Sequence, residues 1–287
     1  MKYIFIINPS SGNGDYQRVV DALNIIKKTQ KDIDYDLVLS EYKYHIYEII
    51  KQYQQQRVCL VACGGDGTIH EVLNAMDLEN NILAALPLGS GNDFLKMNIN
   101  HKDTLVSAIK HILSSKESYI DYGEANEIKF INSFGLGFDT RVMVAYDKYR
   151  SRFKNRKRAY NYSVFMALKD ISSTFVTIDN QSYEIFLMAI NNGKFYGSTF
   201  MPAPNARIDD GMLDLCIVKK LNYFDILKLM PKYKKGQHLG LKQVVYYQAK
   251  SFKIENKKPI LMALDGELYK MKDVDVKVVP KGVQFIL

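Results

Sequence analysis

Gly64-Gly65-Asp66-Gly67-Thr68, continuing into Ile69-His70-Glu71, is the stretch whose residue types point most directly to chemistry. Three glycines within four residues leave backbone N–H groups that no side chain covers. An apolar run, 58–62, precedes them, and Ile69, Val72, Leu73 and Met76 follow at helical spacing. The pattern is strand, glycine turn, helix, and the positive end of a helix binds phosphate readily. Asp66 would repel a bare phosphate. It makes sense where a divalent cation bridges the carboxylate and the phosphate oxygens, as in phosphoryl transfer. The plainer alternative is a strand-to-helix turn with an exposed aspartate, although such turns rarely need three glycines.

Two further strand-end turns have similar composition. A β-rich run, 3–7, ends in Asn8-Pro9-Ser10-Ser11-Gly12-Asn13-Gly14, and Tyr16, Val19, Val20, Leu23 and Ile26 then give a helical stripe. The dinucleotide fingerprint GxGxxG fails here, because Gln17 stands where the third glycine belongs, and no Walker loop is present. A second run, 82–86, ends in Pro87-Leu88-Gly89-Ser90-Gly91-Asn92-Asp93-Phe94, which brings another carboxylate, Asp93. Between these lie a strand over 36–39 and a helix marked by Ile46, Ile49, Ile50 and Tyr53. Such alternation predicts an α/β, doubly wound sheet, with the ligand site at the carboxyl ends of the strands where the three loops converge. His70-Glu71 does not open a zinc-protease helix, since Asn74 replaces the second histidine.

GGDGTIHEVLNA resembles the signature of the diacylglycerol kinase catalytic domain family, soluble bacterial lipid kinases related to sphingosine and ceramide kinases. NAD kinases and phosphofructokinases share the shorter GGDG core. NPSSG is similar to the family's opening NPxSG motif, and PLGSGND to its PLGTxND motif, which separates lipid kinases from NAD kinases. The resemblance implies a nucleotide site of Asn8, Pro9, Ser10, Ser11, Gly12, Gly64, Gly65, Asp66, Gly67, Thr68, Ser90, Asn92 and Asp93. It implies ATP and Mg²⁺ as cofactors, with Asp66 and Asp93 organising metal and water. Ser40 matches a hydroxyl residue that touches the nucleotide, although Tyr44-His45-Ile46 replaces the usual Gly-Asp-Ala nearby. His45 itself reads as a helix-surface histidine.

The resemblance continues through the second half. Ile131-Asn132-Ser133-Phe134-Gly135-Leu136-Gly137-Phe138-Asp139 is similar to the element that opens the family's second domain. Asn191-Asn192-Gly193 and the stretch from Pro202 to Asp214 resemble its NG…AP-A…DG-L-D block, with Tyr196-Gly197-Ser198 in place of a triple glycine. There the family implies a structural Mg²⁺ on Asp210 and the carbonyls of Arg207 and Met212, an oxygen-only set suited to a hard cation. A plain turn would carry the same residues. Leu264-Asp265-Gly266-Glu267 matches the DGE motif, which makes Glu267 the implied general base and leaves Asp66 as the alternative. A base is needed because a lipid hydroxyl must lose its proton while attacking the γ-phosphate in line.

Length and composition bound the rest. The 287 residues suffice for two domains, expected at 1–122, the nucleotide-binding α/β part, and 123–287, a β-rich lipid-substrate part. Strand-like runs at 182–190, 213–218, 244–254, 260–264 and 274–279 predict an antiparallel β-sandwich there, with helices over 160–172 and 224–233. The net charge of +8 suits a polyanionic partner. Seven cations and no acid occupy residues 148–158, readable as a solvated face or as a dock for an anionic membrane surface. No nucleic-acid module accompanies them. Three cysteines in no zinc spacing fit a reducing compartment, and no apolar run approaches the 18 residues of a span. No signal peptide is visible. The expectation is a cytoplasmic, peripherally membrane-associated lipid kinase with its active site in a cleft between the domains. Diacylglycerol leads as acceptor, and a homodimer is left open. NAD kinase and a non-catalytic nucleotide or lipid sensor are the alternatives.

Overall fold

Apolar runs bounded by turns, alternating with amphipathic stripes, build the first part of the chain as βα repeats. The computed structural model describes residues 1–11, 16–89, 91–97, 104–197 and 200–286. The chain forms two compact units, Met1–Asp121 with Pro280–Leu287, and Tyr122–Val279. The first contains β1 (Lys2–Ile7), α1 (Gln17–Thr29), β2 (Tyr35–Leu39), α2 (His45–Lys51), β3 (Val58–Gly64), α3 (Asp66–Ala75), β4 (Ile82–Pro87) and α4 (Leu105–Ser114). β5 (Ser118–Ala125) leads out of it. The second contains β6 (Ile128–Phe130), β7 (Ser133–Gly137), α5 (Phe138–Tyr149), α6 (Arg156–Ala167), β8 (Thr174–Ile178), β9 (Gln181–Asn191), β10 (Leu213–Lys219), α7 (Tyr223–Lys234), β11 (Val244–Ala249), β12 (Ser251–Glu255), β13 (Ile260–Leu264) and β14 (Glu267–Met271). β15 (Val274–Ile286) runs from the second unit back into the first.

In the first unit β2, β1, β3 and β4 pair in that order, all parallel. Every residue of β3 is buried, as a parallel sheet covered on both faces requires. On one face Phe5, Ile7, Val61 and Leu86 pack against Val19, Leu23 and Ile26 of α1 and Ile109 of α4. From β1 the chain turns to β2 on one side and then crosses to β3 on the other. The winding therefore reverses between β1 and β3, and a crevice opens at their carboxyl ends.

The second unit is a sandwich of mainly antiparallel strands. Strand β10 shows how period two builds its layers. Leu213, Leu215 and Ile217 enter the core shared with Phe134, Ile190, Phe252 and Val276, while Cys216 and Val218 face α5 and α7 through Val142, Ile226 and Leu229.

Several elements differ from the expectation. Helix α5 was not foreseen, because its stripe follows a glycine-rich strand without a break. The run 244–254 divides into β11 and β12 at Lys250. The helix expected at 160–172 begins at Arg156, capped by Asn155, whose Oδ1 accepts the Arg158 N–H at 3.1 Å. The expected strand 274–279 continues to Ile286. A division at residue 122 assigns those last residues to the second domain, yet Phe285 pairs with Leu83 and its ring meets Phe94 at 5.5 Å. Burying that ring draws them into the first unit.

The β13–β14 hairpin is tied to the start of β7 by one carboxylate. Asp265 is buried, and its oxygens accept N–H groups from Ile131 (2.7 Å), Asn132 (2.9 Å) and Ser133 (2.9 Å). Its own N–H donates to the Ser133 carbonyl. Asp265 at φ 47° and Gly266 at φ 95° form the two-residue turn, which wants positive φ at both positions. Asp265→Ala should cost about 2–4 kcal/mol, because three N–H donors, two of them buried, lose their acceptor and alanine tolerates positive φ poorly. Asp265→Asn should cost less. Urea midpoints measure both, and an alanine variant as stable as the parent would deny the carboxylate this role.

Candidate active site

The described parts of the loops that follow β1, β3 and β4 meet at the carboxyl ends of these strands. The Gly64 carbonyl accepts N–H bonds from Leu88 and Gly89, both at 3.0 Å, which fastens the β4 loop onto the end of β3. Asn8 joins from β1: its N–H donates to the Cys63 carbonyl at 3.2 Å and its Nδ2 to Thr68 Oγ1 at 3.3 Å. Ser10 and Ser11 fold back on Asn8, through Oδ1 at 2.9 Å and the carbonyl at 3.0 Å, with Pro9 inside that turn. Ser40 is buried, and its N–H donates to the Ile7 carbonyl at 2.8 Å. Gly12 and Ser90 lie outside the described residues.

Close approach explains two of the glycines. A Cβ at Gly89 would stand 2.4 Å from the Gly65 Cα, and one at Gly64 would stand 2.1 Å from Thr68 Oγ1. Gly65 is less constrained, its added Cβ meeting only the Gly89 Cα at 3.3 Å. Helix α3 starts immediately after it, so Asp66, Gly67 and Thr68 form the helix's first turn. Asp66 Oδ1 accepts the Phe94 N–H at 3.3 Å and so links α3 to the β4 loop. Asn92 adopts φ 51° and donates from Nδ2 to the Gly89 carbonyl at 2.8 Å; its buried Oδ1 has no hydrogen-bond partner within the described residues. Asp93 is buried and ion-paired with Lys96, a commitment that the spacing did not suggest. His45 starts α2, where Nδ1 accepts the Glu41 N–H at 3.0 Å and the ring stacks on Tyr42 at 4.5 Å.

In the second unit Glu267 is the first residue of β14, half-buried and paired across the turn with Leu264. Asp210 is exposed, and its Oδ1 accepts the Met212 N–H at 3.0 Å across Gly211, which adopts φ 70°. The neighbouring Arg207 Nε pairs with Asp209 at 3.2 Å. Among the described residues no three His, Cys, Asp or Glu side chains cluster as a metal site. A cation at Asp210 would thus have one carboxylate, backbone carbonyls and water, a hard-oxygen set of the kind Mg²⁺ accepts.

A feature absent from the motifs is a small apolar hollow, part of it open to solvent. Phe138 and Val142 of α5, Tyr160 and Val164 of α6, Phe186 of β9, and Ile226 and Leu229 of α7 line it. Its polar point is Asp139, whose Oδ1 accepts the Tyr196 hydroxyl at 2.9 Å, and Tyr196 in turn meets the Tyr233 hydroxyl at 3.2 Å. The i, i+4 pairs 138/142 and 160/164 were the available signal.

Residues 2–125 match the diacylglycerol kinase catalytic domain, and residues 132–287 match the YegS C-terminal NAD kinase beta sandwich-like domain. The chain belongs to the diacylglycerol kinase family. It is a lipid kinase. Among its relatives, the diacylglycerol kinase of Bacillus subtilis is 29% identical over 216 residues, covering 72% of this chain and 70% of the relative. That of Staphylococcus epidermidis is 28% identical over 273 residues, covering 91% and 84%. A protein named probable lipid kinase YegS-like from Shewanella frigidimarina is 28% identical over 239 residues, covering 79% and 76%. The fold is shared with a crystal structure of a diacylglycerol kinase from Bacillus anthracis, at a TM-score of 0.72 and 20% identity, covering 99% of this chain and 96% of that one.

Three expectations follow for this lipid kinase. Gly89→Ala should destabilise the first unit by about 1–3 kcal/mol through overpacking against Gly65, whereas Gly65→Ala should be milder. If nucleotide phosphate lies over Gly65, Gly65→Val should lose ATP binding while melting like a folded protein; unchanged ATP affinity by calorimetry would remove Gly65 from the site. Burial pushes Asp139 up from 3.8 to about 7, although Tyr196 and Arg141 pull it down. The folded state therefore holds a proton that the unfolded chain has released, and stability should fall as pH rises from about 4 to 7. Asp139→Asn should flatten that part of the pH–stability curve; an unaltered slope would mean another group carries it.

Proposed function

We propose that this kinase transfers the γ-phosphate of ATP to the hydroxyl of a lipid, with diacylglycerol as the leading acceptor and phosphatidic acid as product. The observation that carries the nucleotide half is the meeting of Asn8 with the β3 and β4 glycine loops where the sheet's winding reverses, with the first turn of α3 opening there. The positive end of that helix suits phosphate oxygens, and the unpartnered Asn92 Oδ1 suits a donor from nucleotide or water. Mg²⁺, when bound, neutralises charge on the transferring phosphate. Asp66 is the residue best suited to hold it, and Asp93, tied to Lys96, positions the loop. The acceptor half rests on family membership and on the apolar hollow. Its walls suit an acyl chain, and Asp139 with Tyr196 suits a hydroxyl-bearing head.

Glu267 takes the proton from the acceptor hydroxyl in this reading, and the Asp265 clamp holds the turn that carries it. Asp210, with the carbonyls of Arg207 and Met212, would hold a structural Mg²⁺. Added Mg²⁺ should then raise the melting temperature of nucleotide-free parent but not of Asp210→Ala; equal responses would leave a plain turn. The cations of residues 148–158 are all exposed. Three of them, Arg156, Lys157 and Arg158, occupy the first turn of α6, where the helix dipole disfavours positive charge. An anionic membrane surface would compensate them, which supports peripheral association.

The central experiment is turnover of ATP with a lipid panel. General-base assistance contributes roughly 10²–10⁴-fold, so Glu267→Gln should lower kcat by that order while ATP affinity survives. Asp66→Asn should impair both Mg²⁺-dependent ATP binding and turnover. Near-parental kcat in Glu267→Gln would move the base to Asp66.

A further inference from the structure

Helix α7 presents two unlike faces. Ile226, Leu229 and Tyr233 are buried and line the apolar hollow. Facing water instead are Tyr223, Phe224 and Leu227, exposed by 50%, 73% and 48%. The Asn222 cap places these large side chains in the first two turns, where Tyr223, Leu227 and the exposed Pro231 recur at i, i+4, i+8 along one stripe. Lys228, Lys232 and Lys235 run beside it and are likewise exposed. Between Lys219 and Lys242 the sequence has seven lysines and a single acid, Asp225, which sits at the helix start where the dipole favours it. Lys220 pairs with Glu184 at 2.8 Å.

An aromatic and aliphatic stripe bordered by lysines suits the boundary between acyl chains and headgroups. The rings enter the apolar layer, and the lysine stems extend outward to lipid phosphates. Other partners match only half of this face. A nucleic acid offers phosphates but no apolar phase for Phe224 and Leu227. A second copy offers apolar surface, but it would bring its own lysines against these across the symmetric contact.

We infer that the outer face of α7 is a docking surface for an anionic lipid bilayer, with Tyr223, Phe224 and Leu227 entering the membrane and Lys228, Lys232 and Lys235 engaging headgroups. Because the opposite face of the same helix lines the hollow, docking brings the acyl-chain site to the membrane boundary. That consequence rests on the lipid-acceptor reading above; the docking itself does not.

The chain has no tryptophan, so Phe224→Trp creates a single reporter on this face. Its emission should move to shorter wavelength with phosphatidylglycerol vesicles and be quenched by lipids brominated on their acyl chains. Pure phosphatidylcholine vesicles should produce a smaller shift, and added salt should reverse the anionic one. In the same background, Lys228→Glu with Lys232→Glu should weaken vesicle affinity by roughly tenfold or more. Emission unmoved by anionic vesicles would overturn the proposal, even if the protein sediments with them through another surface. A blue shift without vesicles that grows with protein concentration would overturn it in favour of a second copy. Turnover of detergent-dispersed diacylglycerol by the same variant tests the acceptor reading separately, since it needs no bilayer.

Discussion

The loops that follow β3 and β4 depend on one close approach of backbone to backbone. The Gly64 carbonyl holds Leu88 and Gly89 together, and Gly89 then lies so near Gly65 that neither loop has room for a side chain at Gly89. Asn8, Asp66 and Asn92 all take their positions from this junction. Asn8 bonds to the end of β3 and to Thr68, Asp66 holds the Phe94 N–H, and Asn92 bonds to Gly89 itself. These side chains are thus held by bonds to the main chain and to Thr68. Such placement needs little reorganisation when charge develops.

Much of the first unit was legible because its signals are local. Period-two and helical stripes mark the elements, and the glycine turns fall where those patterns switch. The glycines themselves are harder to read. Gly64 and Gly89 owe their identity to packing as much as to any ligand, and Gly123 is glycine because an added Cβ would sit 2.0 Å from the Phe130 ring. Sequence patterns show that a glycine is present without showing which neighbour excludes the side chain. The same limit applies to Asp265. The DGE motif draws attention to its glutamate, yet the buried aspartate accepts N–H groups from residues more than 130 positions away.

The apolar hollow was invisible for a related reason. Its walls come from three helices and a strand whose individual patterns read as ordinary core, and α5 was not anticipated at all. Asp139 stood in a recognised stretch, but only its burial in the folded unit, which no local pattern shows, raises the proton affinity of its carboxyl. The basic run was likewise legible as charge and not as structure. It is the end of one helix, a 3₁₀ turn and the start of another.

Strand β15 has a consequence for how the molecule is made. Its residues from Pro280 onward belong to the first unit, so the ribosome produces all of Tyr122–Val279 before the first unit has its last strand. Until then the β4 edge lacks Phe285 and Ile286, and Phe94 lacks the ring that covers it. The contact between Leu83 and Phe285 closes a loop of about two hundred residues, a long-range step of the kind that slows folding. During synthesis the parallel sheet therefore waits with one edge open, a stage at which a chaperone or another nascent chain can pair with it.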